Sequence, residues 1–506
     1  MHDLLLISDL HLGSHLKPRN RGEFVHLASK IEDTFPRFID HYLGQGSLQL
    51  IINGDFIDFW NIELPGQEDL PPEALAVARL HAVFDAHPRV EDALVRFLHH
   101  RGSIVFVTGN HDAELLYAGV RAALLERLEG ALRPEGEDWD ASITRTGHVN
   151  LDALPAGRIR FVRWFLREEG GAWIEHGHTF DPSCATQAMM SPTRGDRLVQ
   201  TVAEVATRNF SNWMPEIDYD APDHFSGMDY LRWALARGWR FVLRVMLLYL
   251  RMTGKILALW AGGRVDKKGQ DEHDERLSGV AANAGLQMST LAALQAMAPP
   301  PSATKMSGLL SLTFVDHILA VLVPPLVAVG LAGWFSRPRW MGLAVGIACS
   351  VGLIWRLRRG RKQRDVAGDM LEVAAGVGEV TGVPLVLMGH SHHGELRRLG
   401  DVVYANSGSW LDGSHLLVRR EQGTSRLRSV ELRTWRNGGI TQRSEMEVPW
   451  DAWDAAEGAA HDGDGEAAPD RESADGALPT TETSDPQSPA LPPRARSGHA
   501  AAAVAR

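Results

Sequence analysis

Cysteine is nearly absent. The chain has two in 506 residues, Cys184 and Cys349, in unrelated contexts. That excludes a disulfide framework and fits a reducing compartment. A cationic surplus is also missing, since the formal net charge is −11. With basic charge concentrated in one internal stretch, a nucleic-acid partner is disfavoured. No leader is expected. The first apolar run starts at Leu4 and reaches a polar cluster at Asp9, which leaves no room for an h-region and cleavage site. This half of the protein is therefore expected to stay in the cytoplasm. Aromatic residues stop at Trp453. From Asp451 to Arg506 there are 11 acids against four bases, a net −7 that leaves −4 for the rest. That stretch is rich in Ala, Pro, Gly, Ser and Thr and is expected to be a disordered acidic tail, 451–506.

What the chain does have is a folded body, 44% hydrophobic and long enough for two or three domains. It also has five short polar motifs: Asp9-Leu10-His11, Gly54-Asp55-Phe56-Ile57-Asp58, Gly109-Asn110-His111-Asp112, His176-Gly177-His178 and Gly389-His390-Ser391-His392. Each follows an apolar run that reads as a buried strand: 4–7, 48–52, 104–107, 172–174 and 385–388. Polar clusters at strand C-termini are where open α/β sheets bind ligands. Carboxylate, imidazole and amide oxygens suit Mn, Fe or Zn.

All five motifs, in this order, resemble those of the calcineurin-like metallophosphoesterases. The resemblance covers about 1–182 and 380–450. It implies an α/β sandwich of two mixed β-sheets flanked by helices, with two divalent transition metals at the strand ends. By that resemblance Asp9, His11 and His392 serve one metal, Asn110, His176 and His390 serve the other, and Asp55 bridges them. Such a pair lies about 3.5–4 Å apart, activates a water and neutralises a phosphoryl group. His111 is implied to face the scissile phosphate and to protonate or stabilise the leaving oxygen, with Asp58 holding its imidazole. His178 and Asp181 either support the metal site or shape the turn before Pro182. Asn406-Ser407-Gly408-Ser409 resembles a structural turn of the family.

Residues 183–379 interrupt the pattern and form a helical insertion. In 230–260, Arg237, Arg240, Arg244, Arg251 and Lys255 fall within an arc of roughly 60° on a helix at 100° per residue, and most of the remaining circumference is apolar. This basic amphipathic helix could lie in a membrane interface, could present Arg237, Arg240 and Arg244 to an anionic substrate, or could be a core helix with a solvated edge. Further on, Ile318–Phe335 and Trp340–Trp355 are uncharged runs of 18 and 16 residues, roughly 27 and 24 Å as helices. Extended to 309–335 and 340–355, they read as a membrane hairpin that spans, re-enters or is a soluble core pair. The cationic run after Trp355 keeps that end cytoplasmic. An even number of passes returns the fifth motif to the side of the other four.

The layout also resembles that of UDP-2,3-diacylglucosamine hydrolase, which carries a helical lid between its fourth and fifth motifs. This chain departs from it by having His111 where an Arg is usual and by having His178 in the fourth motif. The expectation is a hydrolase of phosphate esters or pyrophosphates on the cytoplasmic face of a membrane (the inner membrane in a bacterium), with a lipid-linked substrate favoured. A soluble substrate with the hairpin as anchor, or a non-catalytic membrane protein on the same fold, are the alternatives.

Overall fold

The computed structural model describes residues 2–16, 23–46, 48–100, 102–130, 158–214, 227–313, 315–360, 365–450 and 453. The acidic tail, Trp453 apart, lies outside them, as do Arg361, Lys362 and Arg364 of the cationic run.

The apolar runs become strands. A seven-stranded sheet has the order β14-β13-β12-β1-β2-β3-β4, formed by β1 (Asp3–Ile7), β2 (Leu48–Asn53), β3 (Ser103–Val107), β4 (Ile159–Val162), β12 (Ser414–Arg420), β13 (Leu427–Arg436) and β14 (Gly439–Glu447). A five-stranded sheet has the order β10-β11-β9-β6-β5, formed by β5 (Phe165–Glu168), β6 (Ala172–Glu175), β9 (Leu385–Met388), β10 (Gly394–Leu399) and β11 (Val402–Ser407). A small ribbon pairs β7 (Thr193–Arg194) with β8 (Arg197–Leu198). Strands β1 to β4 are parallel to one another, as are β6, β9 and β11.

Period-two alternation decides which layer each side chain enters. Leu4, Leu6, Ile51 and Val105 face Ile174, Leu387, Val403 and Ala405 between the two sheets. Leu5, Ile7, Leu50 and Phe106 point outward against helices α1 (Glu23–Leu43), α2 (Pro72–Ala86), α3 (Pro88–His99) and α4 (Ala118–Gly130). The result is a helix–sheet–sheet–helix sandwich.

The stretch between the fourth and fifth motifs is helical: α5 (Val202–Asn209), α6 (Gly227–Ala236), α7 (Trp239–Gly262), α8 (Lys267–Ala284), α9 (Met288–Met297), α10 (Met306–Leu312), α11 (Val315–Trp334), α12 (Arg339–Gly360) and α13 (Val366–Thr381). Part of it belongs to the sandwich. Leu277, Val280, Leu291 and Leu294 of α8 and α9 join Met370, Ala374 and Val377 of α13 against Trp173, Val386 and Tyr404 of the second sheet. The single helix expected over 230–260 is two helices. Gly238, at φ +94°, breaks it, in a conformation that costs glycine little.

Helices α11 and α12 pack closely on each other. A side chain at Gly346 would strike the Pro325 backbone, and one at Gly342 would strike Ala328. Small residues at such contacts let helices approach. Helix α11 continues through Pro324 and Pro325. The outward apolar surface of the pair is bare: Trp334 is 83% exposed, Leu326 71% and Trp340 70%. A buried core pair is therefore not what forms. Both helices have the length and composition to cross a membrane.

Candidate metal centre

The parallel directions of β1, β2 and β3 in one sheet, and of β6 and β9 in the other, bring the C-terminal ends carrying all five motifs to one rim. The turns there are unusual. Asp9, His11, Asp55, His390 and His392 all have φ between +48° and +65°. Non-glycine residues enter this region at a cost of order 1–3 kcal/mol each, and such outliers cluster at functional sites. Glycine clears the space they need. A side chain at Gly54 would overlap the His176 ring, and one at Gly109 would overlap the Asp55 carboxylate.

Two groups of ligand atoms converge. In the first, His11 Nε2 and His392 Nε2 are 3.4 Å apart, and Asp9 Oδ1 lies 3.3 Å from His392 Nε2 and 3.8 Å from His11 Nε2. In the second, His176 Nε2 lies 3.2 Å from Asn110 Oδ1 and 3.3 Å from Asp55 Oδ2, and His390 shares a metal-sized cluster with Asp55 and His176. These are the sets expected from the sequence. His176 Nδ1 donates to the Asn53 carbonyl at 2.7 Å, which turns the Nε2 lone pair toward the cluster.

The residues fit a pair of cations. Asp9 Oδ1 is buried and receives no well-formed hydrogen bond, only the two imidazole nitrogens nearby. A bare buried carboxylate oxygen is costly unless a cation compensates it. Burial pushes Asp9 up, but His392 and His176 together bring the carboxyl down to about 2. Burial likewise raises Asp55, and His176 and His111 bring it well below the usual range. Burial lowers His176, yet Asp55 and Asp9 pull it up to about 10. The pocket therefore favours positive charge. His11 is pushed down to about 3 by burial and then by His111, the neutral form that a ligand needs.

His111 is in neither of these two groups, but with His11 and Asp58 it makes a further metal-sized group. Its Nδ1 pairs with Asp58 Oδ1 at 2.8 Å. Burial lowers this imidazole, but Asp58 and Asp55 raise it above its ordinary value on balance. Asp58 is fully buried, and Asn61 donates to its other oxygen.

Residues around the ligands support them, and of these the sequence reading names 406–409, His178 and Asp181 but assigns no role to Trp60 or Asp112. Trp60 stacks on His111 with ring centroids 3.8 Å apart. The Asp112 carboxylate accepts the backbone N–H groups of Gly109 and Phe56 at 2.7 and 2.8 Å, stitching the second motif to the third. Asn406, Ser407 and Ser409 tie the fifth motif to the first. Asn406 donates to the Gly389 carbonyl at 2.7 Å, Ser407 meets the Ser8 hydroxyl at 2.7 Å, and Ser409 donates to the Asp9 carbonyl at 3.0 Å. Asp181 Oδ2 lies 3.3 Å from His390 Nε2, and with Cys184 the three make a further metal-sized group. His178 lies beside His176, with ring centroids 5.5 Å apart.

The contacts described for the three candidate substrate arginines lead elsewhere. Arg237 lies over Trp233, Arg240 over Trp239, and Arg244 donates to the Trp213 carbonyl.

Residues 2–241 match the family model for calcineurin-like phosphoesterase. The fifth motif lies beyond that match and reaches the site through the pairing of β9 with β6. No curated protein matches the sequence. Among solved structures there is similarity to Vps29 from Entamoeba histolytica. Its wild-type zinc complex is 18% identical with a TM-score of 0.13, covering 15% of this chain and 46% of that one. A double mutant and a single mutant of the same protein give 18% and 19% at the same score and coverage. The match spans under half the length of those proteins, and at that score it carries no argument.

Proposed function

Starting from a chain that carries a calcineurin-like phosphoesterase domain, we propose that it hydrolyses phosphate esters or pyrophosphates with two divalent transition ions, at the cytoplasmic face of a membrane (the inner membrane in a bacterium), on a lipid-linked substrate. One observation carries the catalytic part. Seven ligand-type side chains from both ends of the sequence gather at one rim, and a buried carboxylate oxygen among them, Asp9 Oδ1, lacks a well-formed hydrogen bond.

Asp9, His11 and His392 would hold one ion, and Asn110, His176 and His390 the other, with Asp55 between them. When bound, such ions supply Lewis-acid polarisation of the phosphoryl group and a water of lowered pKa. The chain's own residues do the rest. Asp55 accepts the His111 backbone N–H at 2.8 Å and so fixes the third motif against the second. His111, its Nδ1 paired with Asp58, donates a proton to the departing oxygen. Asp58 orients that imidazole and keeps Nδ1 occupied, leaving Nε2 for the substrate.

The membrane part rests on the bare apolar hairpin, and on α7. That helix buries Ile256 and packs the half-buried Val245 and Leu248 on one side, while Trp239, Leu247 and Leu250 are exposed on the other. Arg240, Arg251 and Lys255 accompany the exposed side, as an interfacial helix requires.

Assays with an aryl phosphate, a bis-aryl phosphate and a nucleotide–lipid pyrophosphate, each with added Mn, Zn or Fe, test the reading. Preference for the lipid substrate supports it. Preference for the soluble esters reduces the hairpin to an anchor. Hydrolysis of none, with metal bound, leaves a non-catalytic membrane protein.

The full-length protein is further expected to sediment with membranes and to resist extraction by high salt. A deletion should start after Thr313, because Leu309 packs on Val202, Val205 and Ile256 and the Thr313 carbonyl accepts the Tyr249 hydroxyl. Replacing 315–359 with a short flexible linker should leave a salt-sensitive attachment, since surface charge is screened over about 8 Å at physiological salt. Hydrolysis of a small soluble ester should partly survive. Full solubility of the intact protein without detergent would remove the membrane reading.

A further inference from the structure

The face of His111 is occupied by a residue with no assigned role. Trp60 is 3% exposed, and its ring lies 3.8 Å from the imidazole at 30°, a stacked pair. The imidazole also meets His11 edge-on, with centroids 4.6 Å apart, while Asp58 holds Nδ1. A single hydrogen bond leaves a ring free to rock about it. A flat partner on one face and an edge on another remove that freedom. Trp60 is too deeply buried to serve as a platform for substrate, so the imidazole is what its face serves.

Trp60 is itself held from far along the chain. Its carbonyl accepts Asn212 Nδ2 at 2.9 Å and Arg208 Nη1 at 3.3 Å. Arg208 also pairs with Glu204 at 2.8 Å and with Glu114 at 3.6 Å. Glu114 lies three residues after His111, so one guanidinium ties the Trp60 backbone to the turn that carries the imidazole. The segment bearing Arg208 and Asn212 is seated in the insertion. Val202 and Val205 pack on Ile256, and Met214 packs among Trp233, Phe241, Val245 and Leu248.

We propose that Trp60 is a positioning residue that sets the His111 imidazole for proton donation, and that Arg208 and Asn212 fix Trp60 from the insertion. The proposal rests on the role given to His111 above. An enzyme whose proton donor is misplaced loses most with substrates whose leaving group needs the proton.

The test uses full-length, metal-loaded protein and paired phosphate esters, one with a p-nitrophenyl leaving group and one with an alkyl group. Trp60→Leu should lower kcat on the alkyl ester by about 10–100-fold, the scale of a small misplacement. The p-nitrophenyl ester should change by only about 3-fold, because it depends little on general acid help. KM and metal content should stay at wild-type values, and Trp60→Phe should recover most of the loss. Arg208→Met and Asn212→Leu should give weaker losses of the same leaving-group pattern. The double variant Trp60→Leu/His111→Ala should be no worse than His111→Ala alone. Losses that add in the double variant overturn the proposal while leaving the role of His111 intact. Equal loss on both esters, a raised KM or loss of metal also overturns it. If His111→Ala itself shows no leaving-group dependence, the role of His111 fails, and the role of Trp60 fails with it.

Discussion

Asp55→Asn should reduce phosphoester hydrolysis to undetectable levels and lower the metal content below two ions per chain. The change is nearly isosteric, so the fold should survive. Asp55 Oδ2 faces His176 Nε2 at 3.3 Å, and Oδ1 accepts the His111 backbone N–H at 2.8 Å. An amide in that place cannot bridge two cations, because one of its two atoms is a donor. Its charge also contributes to raising both His176 and His111, so both imidazoles should be less readily protonated in the variant. Metal analysis of purified protein, with and without Mn or Zn added back, checks this directly. Wild-type turnover in the mutant, together with no tightly bound metal in the parent, would remove the dinuclear assignment.

His111→Ala should cost about 10²–10⁴ in turnover, the usual contribution of a positioned proton donor, with metal content almost unchanged. The two readouts separate a donor from a ligand. His111 lies outside the two proposed ligand groups, although it makes a metal-sized group with His11 and Asp58, and its described side-chain partners are Asp58, Trp60 and the edge of His11. Asp58→Asn should give a smaller loss in the same direction. It removes the charge that helps raise His111 while keeping a hydrogen-bond acceptor near Nδ1. Loss of both ions from His111→Ala would mark the imidazole as a ligand and redraw the division of labour.

The parts of this arrangement visible in the sequence are those with local causes. Short apolar runs ending in Asp, Asn or His announce β1, β2, β3, β6 and β9, because a buried parallel strand must be apolar on both faces and its polar end must do something else. The edge strand β14 is largely exposed and carries no such signal. Strands β4 and β5 are as short as β6 and β9, four residues each, but lead into no Asp, Asn or His motif that would mark them. The helices α8 and α9 were read as part of an appendage because the chain between the motifs looks foreign. Their role is decided by which residues they meet on the second sheet, and no periodicity encodes that. Trp60, Arg208 and Asn212 illustrate the same limit at the site. The pairs that matter are 148 and 152 residues apart, and each residue alone reads as an ordinary polar or aromatic position. The break at Gly238 was legible in principle, since a glycine beside a bulky run often ends a helix.

The position of β1 fixes the order in which the protein can be finished. It lies inside its sheet, between β2 and β12, and one edge can pair with β2 as soon as residues near 50 are made. The other edge must wait for Leu416 to Val418. The same wait applies to the first ion's site. Asp9 and His11 emerge first from the ribosome, and His392 follows His11 by 381 residues. At roughly 5–20 residues per second, that is on the order of 20–75 s of translation. Until then the nascent chain displays an open strand edge and, on the proposed assignment, lacks His390 and His392, so loading with metal would follow synthesis of the hairpin. On that assignment a ribosome stalled before residue 390 holds a chain that completes neither proposed ligand set.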